Sequence, residues 1–258
     1  TDGDFNVGVT GDDPLTDFVA RKREEGIYLS VLGFGTGNLN DQMMQAIAQN
    51  GNGVAAYIDS LDEARKVLVR EFTSSMFPIA EDLKFQIEFN PQAVSEYRLI
   101  GYQTRLLKEE DFDNDAVDAG DIGSGHTVTA LYEIVPTGED GWLPERRYQD
   151  LDRLTYDPSA ELAFLKIRYK LPGEDESRLI DRAITPQDRV GRFSRASEDT
   201  RFAVTVAAFG EKLARSDYVT DIGYDELIDM ANGAKSADEY GDRAEFVQLI
   251  RRAKEAAK

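Results

Sequence analysis

Hydrophobic and polar positions change their rhythm twice along this chain. Over roughly the first 80 residues, strand-like apolar runs alternate with helix-like stripes, which predicts a parallel sheet covered by helices. Residues 14–25 place Leu15, Phe18 and Val19 at helical spacing, with charged residues at the outer end and Gly26 as the stop. Ile27-Tyr28-Leu29-Ser30-Val31-Leu32 follows as a near-continuous apolar run, the pattern of a strand buried on both faces. Residues 40–49 predict a short helix with Met43, Met44, Ile47 and Ala48 inward, closed by Gly51 and Gly53, and residues 54–58 predict a further strand. Ser60-Leu61-Asp62-Glu63 reads as a capping box, and Leu61, Ala64, Leu68 and Phe72 line one face of the helix it opens.

After Pro78 the period becomes two. Leu83, Phe85, Ile87 and Phe89 alternate with Lys84, Gln86 and Glu88, predicting a half-buried strand with the apolar set inward. Similar alternation over 97–102, over 126–134 with Val128, Ala130, Tyr132 and Ile134 on one face, and over 163–169 predicts an antiparallel sheet or sandwich. The Pro- and Gly-rich stretch 135–160 reads as a surface excursion that Trp142 anchors against the sheet. From about residue 197 the pattern is helical again. Phe202, Val206, Phe209 and Leu213 share a face, a helix over 224–232 closes at Gly233, and Ser236 with Glu239 forms a second capping box before Tyr240, Val247 and Ile250. The expected class is a multi-domain α+β fold: a partial α/β unit over 1–80, an antiparallel β-sandwich-like domain over 81–196, and a helical C-terminal region over 197–258.

Composition narrows the functions. The chain has 258 residues, 41% of them hydrophobic, enough for two or three compact units, and without Met at position 1 it is expected to be a folded piece of a longer protein. A formal charge of −19, from 30 basic and 49 acidic residues, repels phosphate backbones and argues against nucleic acid as a partner. No stretch reaches the roughly 20 consecutive apolar residues of a membrane span. The absence of cysteine excludes disulfides, thiolate zinc sites and cysteine nucleophiles.

Three clusters bear chemistry. Gly33-Phe34-Gly35-Thr36-Gly37-Asn38 sits between strand and helix as a dinucleotide fingerprint would, but Asn38 occupies the third glycine's place, which favours a structural loop. Residues 109–121 hold seven carboxylates and no Lys or Arg. Asp111, Asp113 and Asp115 match the first three positions of an EF-hand loop, while Ala116 and Ile122 replace its Gly and its bidentate Glu. The loop therefore reads either as a solvated acidic turn or as a weak divalent-cation site. Ser124 and His126, the sole histidine, stand two apart without an orienting third group or a nucleophile elbow, so a turn is expected there rather than a hydrolase centre.

Several stretches also resemble a known family. Thr1 to Asn6, Val31-Leu32-Gly33-Phe34-Gly35-Thr36-Gly37-Asn38, residues 57–64, Tyr97-Arg98-Leu99-Ile100-Gly101-Tyr102, residues 118–133 and Arg243-Ala244-Glu245-Phe246 resemble the bacterial YfbK-like group, in which a von Willebrand factor A domain precedes a C-terminal region of unknown function. The resemblance implies that residues 1–80 are the second half of a Rossmann-like A domain, and that the function is recognition rather than catalysis. It implies a magnesium or manganese ion in the intact parent, at a metal-ion-dependent adhesion site completed by a partner's acidic side chain. Asp2, in the Thr-Asp-Gly turn, matches one ligand of that site. The Asp-x-Ser-x-Ser turn and the Thr that supply the others are not in this sequence, so this chain alone is expected to bind no metal there.

The expected function is a non-enzymatic protein-recognition or adhesion module, metal-dependent in the parent, at the bacterial cell envelope or periplasm. The alternatives are a structural or assembly module of the envelope and, third, an uncharacterised hydrolase. The expected partner is a protein, with self-association through residues 1–10 where an open sheet edge invites pairing.

Overall fold

The computed structural model describes residues 12–34, 40–71, 78–102, 106–144, 157 and 159–257. Its fold is mixed α+β, as expected. The expected segments 1–80, 81–196 and 197–258 follow the order of patterns along the chain; contacts group it into two compact units, each drawing on three separate stretches. Unit 1 comprises Thr1–Gln86, Leu107–Thr127 and Lys166–Asp181, and unit 2 comprises Ile87–Leu106, Val128–Leu165 and Arg182–Lys258.

Unit 1 opens with helix α1 (Asp12–Glu24), which ends at Gly26 in the left-handed region, φ +81°. Strand β1 (Val31–Phe34) pairs in parallel with β2 (Ala55–Ile58), Val31 opposite Ala55 and Phe34 opposite Ile58. Helix α2 (Asp41–Asn50) lies between them in sequence, with Asn40 Oδ1 accepting from Met43 N at 3.1 Å as its cap. Met43, Met44, Ile47 and Ala48 bury the stripe the sequence predicts, packing with Val19, Val31, Leu15 and Ala55. Each large side chain so buried contributes about 1.5–3 kcal/mol. The two strands approach so closely at one turn that only glycine fits: a Cβ on Gly53 would stand 2.0 Å from Leu29 O.

The predicted strand at 27–32 is shifted. β1 starts at Val31, and Ile27 and Tyr28 lie exposed ahead of it, because the partner backbone reaches back only as far as Gly51 O, which accepts from Leu29 N, and Val54 O, which accepts from Val31 N. Ser60 caps helix α3 (Leu61–Arg65) by accepting from Glu63 N, whereas the Glu63 carboxylate takes Lys66 Nζ. The helix continues as a π turn (Lys66–Arg70), and its expected inner residues Leu61 and Leu68 are exposed.

Strand β3 (Pro78–Phe89) joins a four-stranded sheet in the order β5-β3-β7-β8, with β5 (Gly120–Gly123), β7 (Ala163–Lys170) and β8 (Arg178–Ile184). Strand β4 (Val94–Ile100) pairs antiparallel with β6 (Leu131–Pro136). The alternation expected of β3 is inverted at its centre: Lys84 is 4% exposed and Phe85 is 41% exposed. The cause is a register shift against β5 between Ala80 and Leu83, where Asp82 takes φ +50°.

In unit 2, β4 stops at Ile100, where Gly101 and Tyr102 both turn to positive φ, and its ladder with β6 begins at Leu131, opposite Ile100. The face expected from Val128, Ala130, Tyr132 and Ile134 is not the buried one; Val135 is, and Ile134 is exposed. Helices α4 (Glu198–Leu213), α5 (Tyr224–Gly233) and α6 (Asp242–Ala256) form a core of Phe209, Leu227, Ala231, Val247 and Ile250. Val206 and Leu213 lie outside it, since the buried face of α4 runs through Thr205 and Phe209. The cap of α6 comes from Asp238, not Ser236: its carboxylate accepts from Arg243 N at 2.9 Å and Ala244 N at 2.8 Å.

Candidate functional site

The acidic loop at 109–121 is built around the chain's own cations, all within unit 1. Lys84, buried by the inversion of β3, donates to Asp111 O at 3.3 Å and Asn114 O at 2.5 Å. Those carbonyls give its ammonium the partners a buried charge requires. Arg168 reaches Asp113 Oδ1 with Nε at 2.8 Å and Nη2 at 2.6 Å, and its guanidinium lies over the Phe112 ring. Lys170 Nζ donates to Asp82 Oδ2 at 2.8 Å and Asp115 O at 2.7 Å. The Asp82 bond holds the Lys170 amine above its ordinary range, and Ser177, through side chain and backbone, holds the Asp115 carboxyl below its own.

Asp111, Asp113 and Asp115 thus meet different partners: Asp111 offers its carbonyl to Lys84, Asp113 its carboxylate to Arg168, and Asp115 its carboxylate to Ser177 N at 3.2 Å. Among the described residues no group of three or more His, Asp or Glu is placed to hold a metal ion. Asp2, the 1–10 segment and residues 35–38 of the glycine-rich loop lie outside the described residues. Ser124 and His126 sit exposed in the turn after β5, His126 N donating to Gly123 O at 3.1 Å.

Unit 2 has a second polar centre, on one face of β4–β6. Arg98 donates to Glu133 Oε2 at 2.6 Å and to Glu211 Oε2 at 2.9 Å, and Ser216 Oγ donates to Glu211 Oε2 at 2.7 Å. Burial pulls the guanidinium pKa down, but the hydrogen bonds to Glu211 and Glu133 outweigh it and leave Arg98 raised; Ser216 first, and then Arg98, hold Glu211 below the ordinary carboxylate range. Arg98 lies 3.8 Å over the Tyr218 ring, which meets Trp142 edge-on at 5.8 Å. Trp142 does anchor its segment, through Tyr218 and through its N–H to Glu96 Oε2 at 3.0 Å. The opposite face carries Phe89, Tyr97 and Tyr132 in ring contact. Each charged side chain named in this centre has a hydrogen-bond partner, as in a structural joint.

Lys84 and Arg98 are the residues the sequence pattern passed over. Their signals were weak: Lys84 stood on the polar side of an alternating strand, and Arg98 drew notice only as part of a matching stretch.

Comparison with known proteins places the chain. A family model described as "Uncharacterized protein YfbK, C-terminal" matches residues 74–256. The uncharacterized protein YfbK of Escherichia coli (strain K12) is 44% identical over 251 residues, covering 97% of this chain and 43% of the relative, so the chain spans less than half the length of that curated protein. Among solved structures, the ArnB paralog VWA2 from Sulfolobus acidocaldarius aligns over 87% of this chain and 54% of its own, with a TM-score of 0.41 and 14% identity. With a family match over residues 74–256 and 44% identity along nearly its whole length, the chain belongs to the YfbK family.

Proposed function

We propose that this chain is part of a non-enzymatic protein-recognition module. The observation that carries the reading is the exposed apolar fringe of the parallel pair in unit 1. One face of β1–β2 packs on the α1–α2 core through Val31 and Ala55, and Ile58 is buried on the other, but Phe34 beside it is 48% exposed, and Ile27, Leu29 and Val54 are exposed nearby. Parallel strands are ordinarily covered on both faces, and exposed apolar groups of this kind favour a protein contact. In the intact parent the recognition is metal-dependent: magnesium or manganese, held by Asp2 with ligands from outside this chain, bridges to a partner's carboxylate, at the bacterial envelope. In this chain by itself the same surface, with residues 1–10, drives self-association.

Two measurements test this. Sedimentation of the chain is expected to show concentration-dependent self-association that Phe34→Ser weakens; a strictly monomeric wild type at high concentration counts against it. Calorimetric titration with manganese is expected to show binding only when the chain is extended upstream to the length of its relatives. Binding to neither form favours the second reading, a structural or assembly module, to which the hydrogen-bonded joint around Arg98 lends support.

A further inference from the structure

Three carboxylates that belong to neither the EF-hand-like triplet nor the Arg98 joint converge in unit 1. Asp121 Oδ1 accepts from Asp82 N at 3.2 Å and its Oδ2 from Asn52 Nδ2 at 3.3 Å. Asp82 in turn accepts from Ala119 N at 2.9 Å and from Lys170, and Asp118 Oδ2 accepts from Arg23 Nη1 at 2.8 Å. The cluster therefore ties α1, through Arg23, and the α2–β2 turn, through Asn52, to the β3–β5 pair. Both Asn52 and Asp82 adopt positive φ to make these contacts, at 48° and 50°. Non-glycine residues hold such conformations only where their surroundings impose them.

We propose that Asp82, Asp118 and Asp121 form an acid-tightened latch that holds α1 and the α2–β2 turn to the β3–β5 pair of unit 1. The groups facing Asp121 are Glu81 and Asp82 from β3, Asp118 from the segment before β5, and Tyr28 from the segment before β1. Arg23 is engaged by Asp118 and Lys170 by Asp82, whereas among the described residues the donors to Asp121 are the neutral amides of Asn52 and of the Asp82 backbone. Burial, followed by the Glu81, Asp118 and Asp82 charges, raises the Asp121 carboxyl from 3.8 to about 6 against the opposing pull of the Asp82 N–H. A folded pKa above the unfolded value means that the closed latch binds the proton more tightly. Its stabilisation is therefore absent above about pH 6, appears as pH falls through that value, and is complete near pH 3.8.

Hydrogen exchange of the full chain, with rates converted to protection factors at pH 5.5 and 7.5, tests this device independently of the recognition reading. Segments from α1 and the α2–β2 turn are expected to gain about four-fold protection at the lower pH, the factor a pKa near 6 supplies, while β4–β6 does not. Asp121→Asn, a neutral isostere, is expected to remove most of the dependence, the remainder belonging to the Asp118 carboxyl, which burial also raises. Should that variant fail to fold, Glu81→Gln removes one repelling charge and is expected to move the transition to lower pH. An unchanged or reduced protection at pH 5.5, a gain spread uniformly over both units, a wild-type profile in Asp121→Asn, or an unmoved transition in Glu81→Gln overturns the proposal.

Discussion

The helical core of unit 2 and the parallel corner of unit 1 satisfy the same demand with different completeness. In unit 2 the three helices cover one another, and Leu227, Ala231 and Ile250 have no exposed surface at all. In unit 1, α1 and α2 seal one face of β1–β2 with residues as deeply buried, Met44 and Ile47 at 1%, yet Phe34 and the apolar residues ahead of β1 stand in the open. A helix buries one stripe and is finished; a parallel strand has two faces to cover. The exposed fringe at Phe34, Ile27 and Leu29 is consequently the part of unit 1 its own helices leave open, whereas the helical core of unit 2 closes on itself.

The largest test of that contrast is core truncation. Leu227→Ala should cost about 2–5 kcal/mol through lost burial and the cavity it leaves, and Met44→Ala should cost a similar amount in unit 1. Chemical denaturation followed by Trp142 fluorescence for unit 2 and exchange at α2 for unit 1 distinguishes whether each loss stays in its own unit. Next in size is Lys84→Met. It leaves Asp111 O and Asn114 O without their buried donor and should cost about 1–3 kcal/mol, read as a lower denaturation midpoint with the exchange change concentrated at 108–117. The smallest effect separates the units by sign. Glu211 is held below its ordinary pKa of 4.5, so its contribution to unit 2 is full above that value and is lost as pH falls through the folded value. Asp121 in unit 1 responds oppositely, gaining as pH falls through about 6. Exchange profiles followed from pH 6 down through the folded Glu211 value, below 4.5, should therefore diverge, and Glu211→Gln should flatten the acid loss in unit 2 alone.

Elements defined by their own neighbours in sequence were legible. The α2 stripe Met43, Met44, Ile47 and Ala48 is buried as its spacing predicts, and Gly26 and Ser60 end and cap their helices as read. Single-residue events defeated the reading elsewhere. One register shift at Asp82 inverts Lys84 and Phe85, and no period count can register an extra residue before pairing is known. β5, Gly120–Gly123, has too little apolar alternation to announce a strand, and most of β8 is exposed. The acidic loop was legible as a cluster, but its partners were not, since Lys84 lies 27 residues from Asp111 and Arg168 lies 55 from Asp113. Asp238 displaced Ser236 as the α6 cap because its carboxylate reaches two backbone N–H groups at once.

Each unit is assembled from three stretches of chain that alternate with those of the other. During synthesis, unit 1 therefore cannot acquire its last stretch until residue 181 has left the ribosome, by which time two of the three stretches of unit 2 are already out. Unit 1 can close at that point only with two stretches of unit 2 looped out of it, and unit 2 must wait for residues 182–258, so folding passes through long loops whose closure is slow. For the same reason no single cut releases either unit as a continuous fragment: a protease acting between residues 127 and 166 would sever both.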